Sequence, residues 1–246
     1  MELLELIKEA KHVVAFTGAG LSTESDIPDF RSSSGLYLTG KYEGHTPETI
    51  LSQRFFRVNK PVFFSFYKER IMDMIDKKPN RAHFAMQKMQ SVGKLNSVIN
   101  QNIDNLLQKA GVNNVFDLHG NITTFRCVSA CGKSYNDVDF MKLLENAEVP
   151  KCECGGIVRP NTVLFDEWLD DKIYDAAYWE AKKCDLMIAI GSSLVVRPAC
   201  SLLSEIHYTD CKLVIINNTK TPYDHKADLI INRSCGEVLE EVANQL

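Results

Sequence analysis

The chain has 246 residues, 45% hydrophobic and 24% charged, with a formal net charge of −4. That length buries a full core as one large domain or two small ones. An acidic balance with no long basic run argues against nucleic acid as a partner, since phosphate binding needs clustered Lys and Arg. No stretch approaches the roughly 20 apolar residues of a membrane span. The first residues, MELLELIKEAKH, mix acidic residues with leucines and lack a cleavage site. They read as an amphipathic helix with Leu3, Leu4, Leu6 and Ile7 on one face, not as a signal peptide. Val13-Val14-Ala15-Phe16 is a short β-branched and aromatic run, so it reads as a strand. It stops at Thr17-Gly18-Ala19-Gly20, where two glycines allow a tight turn and bare N–H groups suit a diphosphate. Thr23 stands where the third glycine of GxGxxG would be, so these residues alone leave a nucleotide site and an ordinary glycine turn equally open.

Residues 32–46, rich in Ser, Gly and Thr, form a connection longer than usual, of the kind that serves as a lid. PVFFSFYKERIMDMI is helical, its aromatics filling a core, and Tyr67 and Arg70 stand three apart on one helix face. Asn80 is placed to cap the helix RAHFAMQKMQ. Leu95–Ile99 is a second core strand, ending in the polar cluster Asn100-Gln101-Asn102-Ile103-Asp104. Ligands of open α/β sheets sit at the carboxyl ends of strands, so this cluster is placed for a site. The helix NLLQKAG closes at Gly111, and a strand at Val115–Leu118 ends in His119-Gly120.

Residues 121–160 change character. Cys127 and Cys131, then Cys152 and Cys154, make two close pairs of thiols. Four thiolates match a closed tetrahedral zinc site, which holds a fold and does no chemistry. Eight cysteines without a signal peptide point to a reducing cytoplasm. Cys184, Cys200, Cys211 and Cys235 are scattered and read as small apolar residues. The α/β pattern then returns: Ile157–Phe165 is extended, strands follow at Asp185–Ile190, Lys212–Ile216 and Ala227–Ile231, and GEVLEEVANQL is a final helix. Continuous apolar strands alternating with helices imply a parallel sheet covered on both faces.

Taken in order, GAGLSTESDIPDFR, KPNRAHFAM, QNID, Ala110-Gly111, LHGN, the four cysteines, RPNTVLF, GSSLVV, IINNTKTP and ADLII resemble the sirtuins, NAD-dependent protein-lysine deacylases. The resemblance implies an α/β fold: a Rossmann-like parallel-sheet lobe (1–31, 82–122 and 161–246) and a smaller lobe. The latter joins a cofactor loop and helical module (32–81) to a zinc-binding module (123–160). It implies NAD as co-substrate and structural zinc on Cys127, Cys131, Cys152 and Cys154. Ala19, Thr23, Phe30 and Arg31 would line the NAD site. Gln101, Asn102, Ile103 and Asp104 would form the nicotinamide pocket, with Asn102 and Asp104 in catalytic roles. His119 would be the general base. Gly191, Ser192, Ser193 and Asn217 would hold the adenosine half, with Cys235 near the adenine. Val163, Leu164 and Phe165 would pair with the substrate backbone and wall the acyl-lysine tunnel.

The implied reaction transfers an acyl group from protein lysine, giving nicotinamide, O-acyl-ADP-ribose and free lysine. Mono-ADP-ribosyl transfer or NAD hydrolysis from the same site is the alternative. The partners expected are acylated-lysine proteins or peptides, met by a cytoplasmic monomer. Tyr67 and Arg70 are similar to the Tyr-x-x-Arg of sirtuins that remove negatively charged acyl groups, so acetyl and succinyl both stay open. Three positions depart from the family pattern. Asp26 replaces a glycine, and Asp tolerates the left-handed turn better than most residues. Leu107 replaces a histidine, with a packing change expected. Asp166 replaces the glycine of FGE, bringing a carboxylate that would favour basic peptides.

Overall fold

The structure, a computed structural model, describes residues 2–29, 40–206 and 210–246. Helix α1 (Glu2–Glu9) buries Leu3, Leu4 and Ile7. Its acidic first turn and terminal Lys8 complement the helix dipole. Strand β1 (Val13–Thr17) is buried throughout. It runs into two 3₁₀ turns, Ala19–Leu21 and Thr23–Ser25, the second ending on Asp26. Asp26 is left-handed at φ 57°, as its place in a glycine position requires. Asp26→Gly relieves that strain, and part of the gain is offset by a freer unfolded chain. We expect a stabilisation of up to about 1 kcal/mol, seen as a higher urea midpoint at constant slope; a lower midpoint would show that the aspartate side chain itself holds the turn.

Three short helices follow, α2 (Pro47–Ile50), α3 (Gln53–Val58) and α4 (Lys60–Phe66), the first two capped by the hydroxyls of Thr46 and Ser52. The α-helix expected through PVFFSFYKERIMDMI stops at Phe66; a π turn (Tyr67–Ile71) and a 3₁₀ turn (Met72–Asp76) continue it. Asn80 caps α5 (Arg81–Ser91) as expected, its Oδ1 accepting from the Ala82 amide at 2.9 Å. Then come β2 (Ser97–Asn100), α6 (Leu106–Lys109) and β3 (Val115–Asp117). Within the cysteine segment lie β4 (Gly120–Cys127), β5 (Ser134–Asn136), α7 (Asp137–Asn146) and β6 (Val158–Thr162). The chain closes with α8 (Asp171–Lys183), β7 (Leu186–Ile190), α9 (Leu202–Glu205), β8 (Lys212–Ile216), β9 (Leu229–Ile231) and α10 (Cys235–Ala243).

Six strands form a parallel sheet in the order β3-β2-β1-β7-β8-β9. Numbered within the sheet this is 3-2-1-4-5-6, the doubly wound order of dinucleotide-binding folds, with its switch point between β1 and β7. Alternate residues of the central strands feed two cores. Val13, Ala15, Ile188 and Val214 pack with α1, α5 and α10. Val14, Phe16, Met187 and Ile215 pack with α8 and α9. Two-sided burial is why these strands read as unbroken apolar runs. Leu107 belongs to the first core and is 2% exposed, so the residue that departs from the family pattern is a packing residue.

A second sheet, antiparallel β5-β4-β6, belongs to the smaller lobe. Its core is shared with α2 to α4: Phe63, Phe64, Phe66 and Tyr67 pack in one cluster with Phe125 and Phe140, whose rings stack at 3.9 Å. The aromatic run is therefore core, as its helical spacing suggested. The extended stretch is shorter than expected, β6 ending at Thr162 rather than Phe165.

Candidate active site

A cavity of about 670 Å³ opens at the carboxyl ends of β1, β2, β7 and β8, at the switch point, and extends under the smaller lobe. That volume lies within the roughly 300–1,000 Å³ of small-molecule sites. The turn after β1 and the turn after β7 cross at one end. A Cβ on Gly18 would lie 2.7 Å from the Ser192 Cβ, and one on Gly191, at φ 58°, would lie 2.5 Å from the Leu21 amide. Glycine at both positions lets two backbones interlock; the amides of Gly18, Gly20 and Gly191 are spent on main-chain carbonyls, which leaves the main chain beside them, at Ala19 and Ser193, to a ligand. This fits a diphosphate approaching backbone N–H groups.

Gln101 joins the ends of two strands, its Nε2 donating to the Thr17 carbonyl at 3.1 Å and to the Ser192 hydroxyl at 2.9 Å. Asn102 is 7% exposed; its amide nitrogen donates to the Gly18 carbonyl at 3.0 Å and the Ser22 hydroxyl at 3.2 Å. Those bonds leave its Oδ1 as the acceptor for a ligand. Asn100 braces Asn102, its Nδ2 donating to the Asn102 carbonyl at 2.9 Å and its Oδ1 accepting from the Asn102 amide at 3.1 Å, and is itself fixed by the Thr17 hydroxyl at 2.8 Å and by donating to Asp117 at 2.7 Å. Asp104 lies off the main cavity, at a small recess shared with Ala19, Ser22, Asn102 and Ile103. Both its oxygens are engaged, Oδ2 by the Ser22 hydroxyl at 2.6 Å and Oδ1 by the Leu106 amide at 2.9 Å. Burial pushes its carboxyl above the usual range, against those two hydrogen bonds. Asp104 thus orients Ser22 and, through it, Asn102.

His119 follows β3 at the cavity wall. Its Nδ1 lies 2.8 Å from the Gln101 carbonyl oxygen. A carbonyl only accepts, so Nδ1 carries the proton and Nε2 keeps a free pair. Burial lowers the imidazole pKa below its ordinary value, opposed by the Gln101 bond. Gly120 must be glycine: it sits at φ 69°, and a side chain there would collide with the Asn161 carbonyl.

Thr23, Asn217 and Cys235 line the other end of the cavity. The Cys235 thiol donates to the Gly20 carbonyl at 3.3 Å and is pushed up to about 11 by burial, so it is unreactive. Phe30 and Arg31 lie outside the described residues, as does most of the expected lid. Sequence reasoning missed Arg197 and Arg233, two cations at the cavity wall, and Glu24. Glu24 takes a two-point contact from Arg81 at 2.7 and 3.1 Å and packs against Gly236, fastening the turn at Thr23 to α5 and α10.

Val163, Leu164 and Phe165 wall the cavity, but their amides are engaged within the chain. Val163 donates to the His119 carbonyl, Leu164 to the Glu167 carboxylate and Phe165 to the Leu51 carbonyl, each at 2.9 Å. A substrate backbone must therefore meet this arch through other groups than those three amides. The arch is held by a buried ion pair: Arg159 reaches Glu167 at 2.5 and 3.0 Å and the Thr162 carbonyl at 2.7 Å. Glu167→Gln leaves the buried guanidinium short of a charge and turns an N–H toward donors. We expect a loss of about 1–3 kcal/mol in chemical denaturation, with a raised KM for peptide; unchanged values for both would show that the pair does not hold the arch.

The structure does not bring Tyr67 and Arg70 together at the cavity. Tyr67 is 1% exposed and lines the cavity, whereas Arg70 is exposed and stands outside its wall. The π turn is the reason. Its wider winding brings Ile71 onto the face of Tyr67 and turns Arg70 away.

The sulfurs of Cys127, Cys131, Cys152 and Cys154 all lie within 4.8 Å of one another, with close pairs at 3.6, 3.7 and 3.2 Å. Thiolates at about 2.3 Å from zinc in a tetrahedron stand about 3.8 Å apart, so the cluster fits structural zinc.

A Sir2 family model matches residues 18–198. The chain belongs to the Sir2 family. It is 44% identical over 242 residues to a Clostridium acetobutylicum protein named NAD-dependent protein deacetylase, covering 98% of this chain and 96% of that one. A Clostridium tetani protein of the same name is 47% identical over 247 residues, covering 99% and 97%. Among solved structures, a Sir2 complex with a p53 peptide and NAD+ superposes with a TM-score of 0.90 at 39% identity, covering 99% of this chain and 97% of that one. A Sir2 complex with deacetylated p53 peptide and 3'-O-acetyl-ADP-ribose gives 0.92 at 38% identity with the same coverage. The doubly wound sheet and the smaller antiparallel sheet of this Sir2 chain thus belong to an architecture it shares with those structures.

Proposed function

We infer that the chain is an NAD-dependent protein-lysine deacetylase with a structural zinc. Near full-length identity to proteins of that name carries the reading. A Sir2 neighbour that holds an acetylated sugar product beside a deacetylated peptide favours acyl transfer over ADP-ribosylation or plain NAD hydrolysis. NAD, when bound, supplies an electrophilic ribose carbon and a nicotinamide leaving group.

The rest falls to residues of the chain. The interlocked turns after β1 and β7 take the phosphates, and Ser192, Ser193, Asn217 and Cys235 border the adenosine end. Gln101, Asn102 and Ile103 enclose the nicotinamide end, with Asp104 holding Asn102 through Ser22. His119 Nε2 takes a proton from a ribose hydroxyl, and the Gln101 carbonyl fixes the tautomer that lets it. Tyr67, Val163, Leu164 and Phe165 wall the acyl-lysine channel. Arg70 has no place in it, which supports acetyl over succinyl. The exposed carboxylate of Asp166 at the cavity edge supports a preference for basic peptides. Four cysteines gathered into a metal-ligand cluster support a reducing location such as the cytoplasm.

Only neutral His119 acts as a base, and burial holds its pKa below 6.5. Activity therefore persists as pH falls through 6.5 and fails lower down. The acid limb of kcat/KM for acetyl-peptide is expected below that value; a limb well above it would contradict a buried base. The reading as a whole is tested by nicotinamide release. It should rise sharply when acetyl-lysine peptide is added to NAD and protein, and release indifferent to the peptide would favour hydrolysis.

A further inference from the structure

Two cysteines that look scattered in the sequence meet in the fold. Cys184 and Cys211 are 27 residues apart, and their sulfurs lie 3.1 Å from each other. Each stands just before a strand of the parallel sheet, Cys184 before β7 and Cys211 before β8. Leu186 pairs with Lys212, and the Lys212 amide donates to the Asp185 carbonyl at 3.0 Å. By this register Cys211 stands opposite Asp185, and the end of α8, where Cys184 is the C-cap and its thiol donates to the Ala181 carbonyl at 3.1 Å, sets Cys184 against it. Cys184 is 4% exposed, and Cys211 is half-buried and reached by solvent. Four of the other cysteines belong to the zinc cluster, and Cys235 is tied to the Gly20 carbonyl.

We propose that Cys184 and Cys211 are an oxidisable dithiol that closes to an intrachain disulfide on contact with a low-molecular-weight disulfide. Cys211 is the first nucleophile, because the contact with Cys211 and burial both push the Cys184 thiol up and keep it protonated. The Cys211 thiolate attacks one sulfur of oxidised glutathione and expels one glutathione thiolate. Cys184 then gives its proton to solvent, attacks the Cys211 sulfur and expels the second. Two protein thiols are oxidised, one glutathione disulfide is reduced, and two glutathione thiols result.

The bond ties β7 to β8 at their amino ends and closes a ring that contains Gly191, Ser192, Ser193 and Arg197 of the cavity wall. Closure constrains the unfolded chain. The cavity lies at the carboxyl ends, about 20 Å away at 3.3 Å per residue, so the staple acts on stability and not on turnover.

The test uses the zinc-loaded chain and its Cys211→Ser variant, incubated with oxidised glutathione. Non-reducing peptide mapping, zinc release and thermal unfolding are followed together. The expected result is a Cys184–Cys211 cross-linked peptide with zinc retained. The Tm should rise by roughly 5–10 °C and return on adding dithiothreitol. Cys211→Ser should show neither change, with kcat/KM equal to the parent's. Three results would overturn the proposal: glutathione remaining on Cys211 without closure, oxidation confined to the zinc cysteines, or the same Tm rise in Cys211→Ser.

Discussion

His119→Ala is expected to lower kcat/KM for acetyl-peptide by about 10²–10⁴-fold, the contribution of a positioned general base, while NAD binding by calorimetry stays close to the parent's. The expectation follows from what the imidazole does in the fold. One nitrogen is committed to the Gln101 carbonyl at 2.8 Å, and the other faces a cavity that the side chain does not support. The neighbours are braced without it: Gln101 by Thr17 and Ser192, Asn102 by Gly18 and Ser22. Truncation therefore removes a proton acceptor and little else. A variant with parent-like turnover would mean that another group takes the proton. A variant that loses NAD binding in step with turnover would mean that His119 serves the pocket's shape.

Removing zinc is expected to unfold the smaller lobe. Cys127 and Cys152 are buried at 3% and 6%, while Cys131 and Cys154 sit on exposed turns, so the metal is the covalent tie between the two pairs in addition to the strand ladder and the core. Zinc bound to four thiolates in small modules is worth on the order of 10–16 kcal/mol of folding free energy. Because Phe125 and Phe140 share their core with Phe64 and Tyr67, collapse of the module carries to the cavity wall. We expect one zinc per chain by elemental analysis. Cys152→Ala, or exhaustive chelation, should give a fall in Tm well beyond 10 °C, at 2–4 °C per kcal/mol, with loss of deacetylation. A metal-free chain with the parent's Tm would contradict a structural zinc.

What could be read in the sequence follows from burial. β1, β7 and β8 are covered on both faces, so their apolar runs declare them. Asn80 announces α5 by the chemistry of its cap. The glycine turns after β1 and β7 mark the cradle because only glycine fits where two backbones cross. The zinc module was legible in its ligands and not in its elements: β5 is three residues with exposed ends, and only Phe140 and Leu144 of α7 are buried. Arg70 misled because helical spacing presumes 3.6 residues per turn, and the π turn rotates it out of the cavity. Cys184 with Cys211, and Arg159 with Glu167, become neighbours only through the way α8 enters the sheet beside β8 and through the arch after β6, which no local pattern encodes.

The central claim is acyl transfer to the ribose of NAD, and mass spectrometry of the products tests it most directly. With NAD and an acetyl-lysine peptide, the account predicts free-lysine peptide, nicotinamide and O-acetyl-ADP-ribose in equal amounts. Intact acetyl-peptide beside free ADP-ribose, or beside ADP-ribosylated protein, would contradict it.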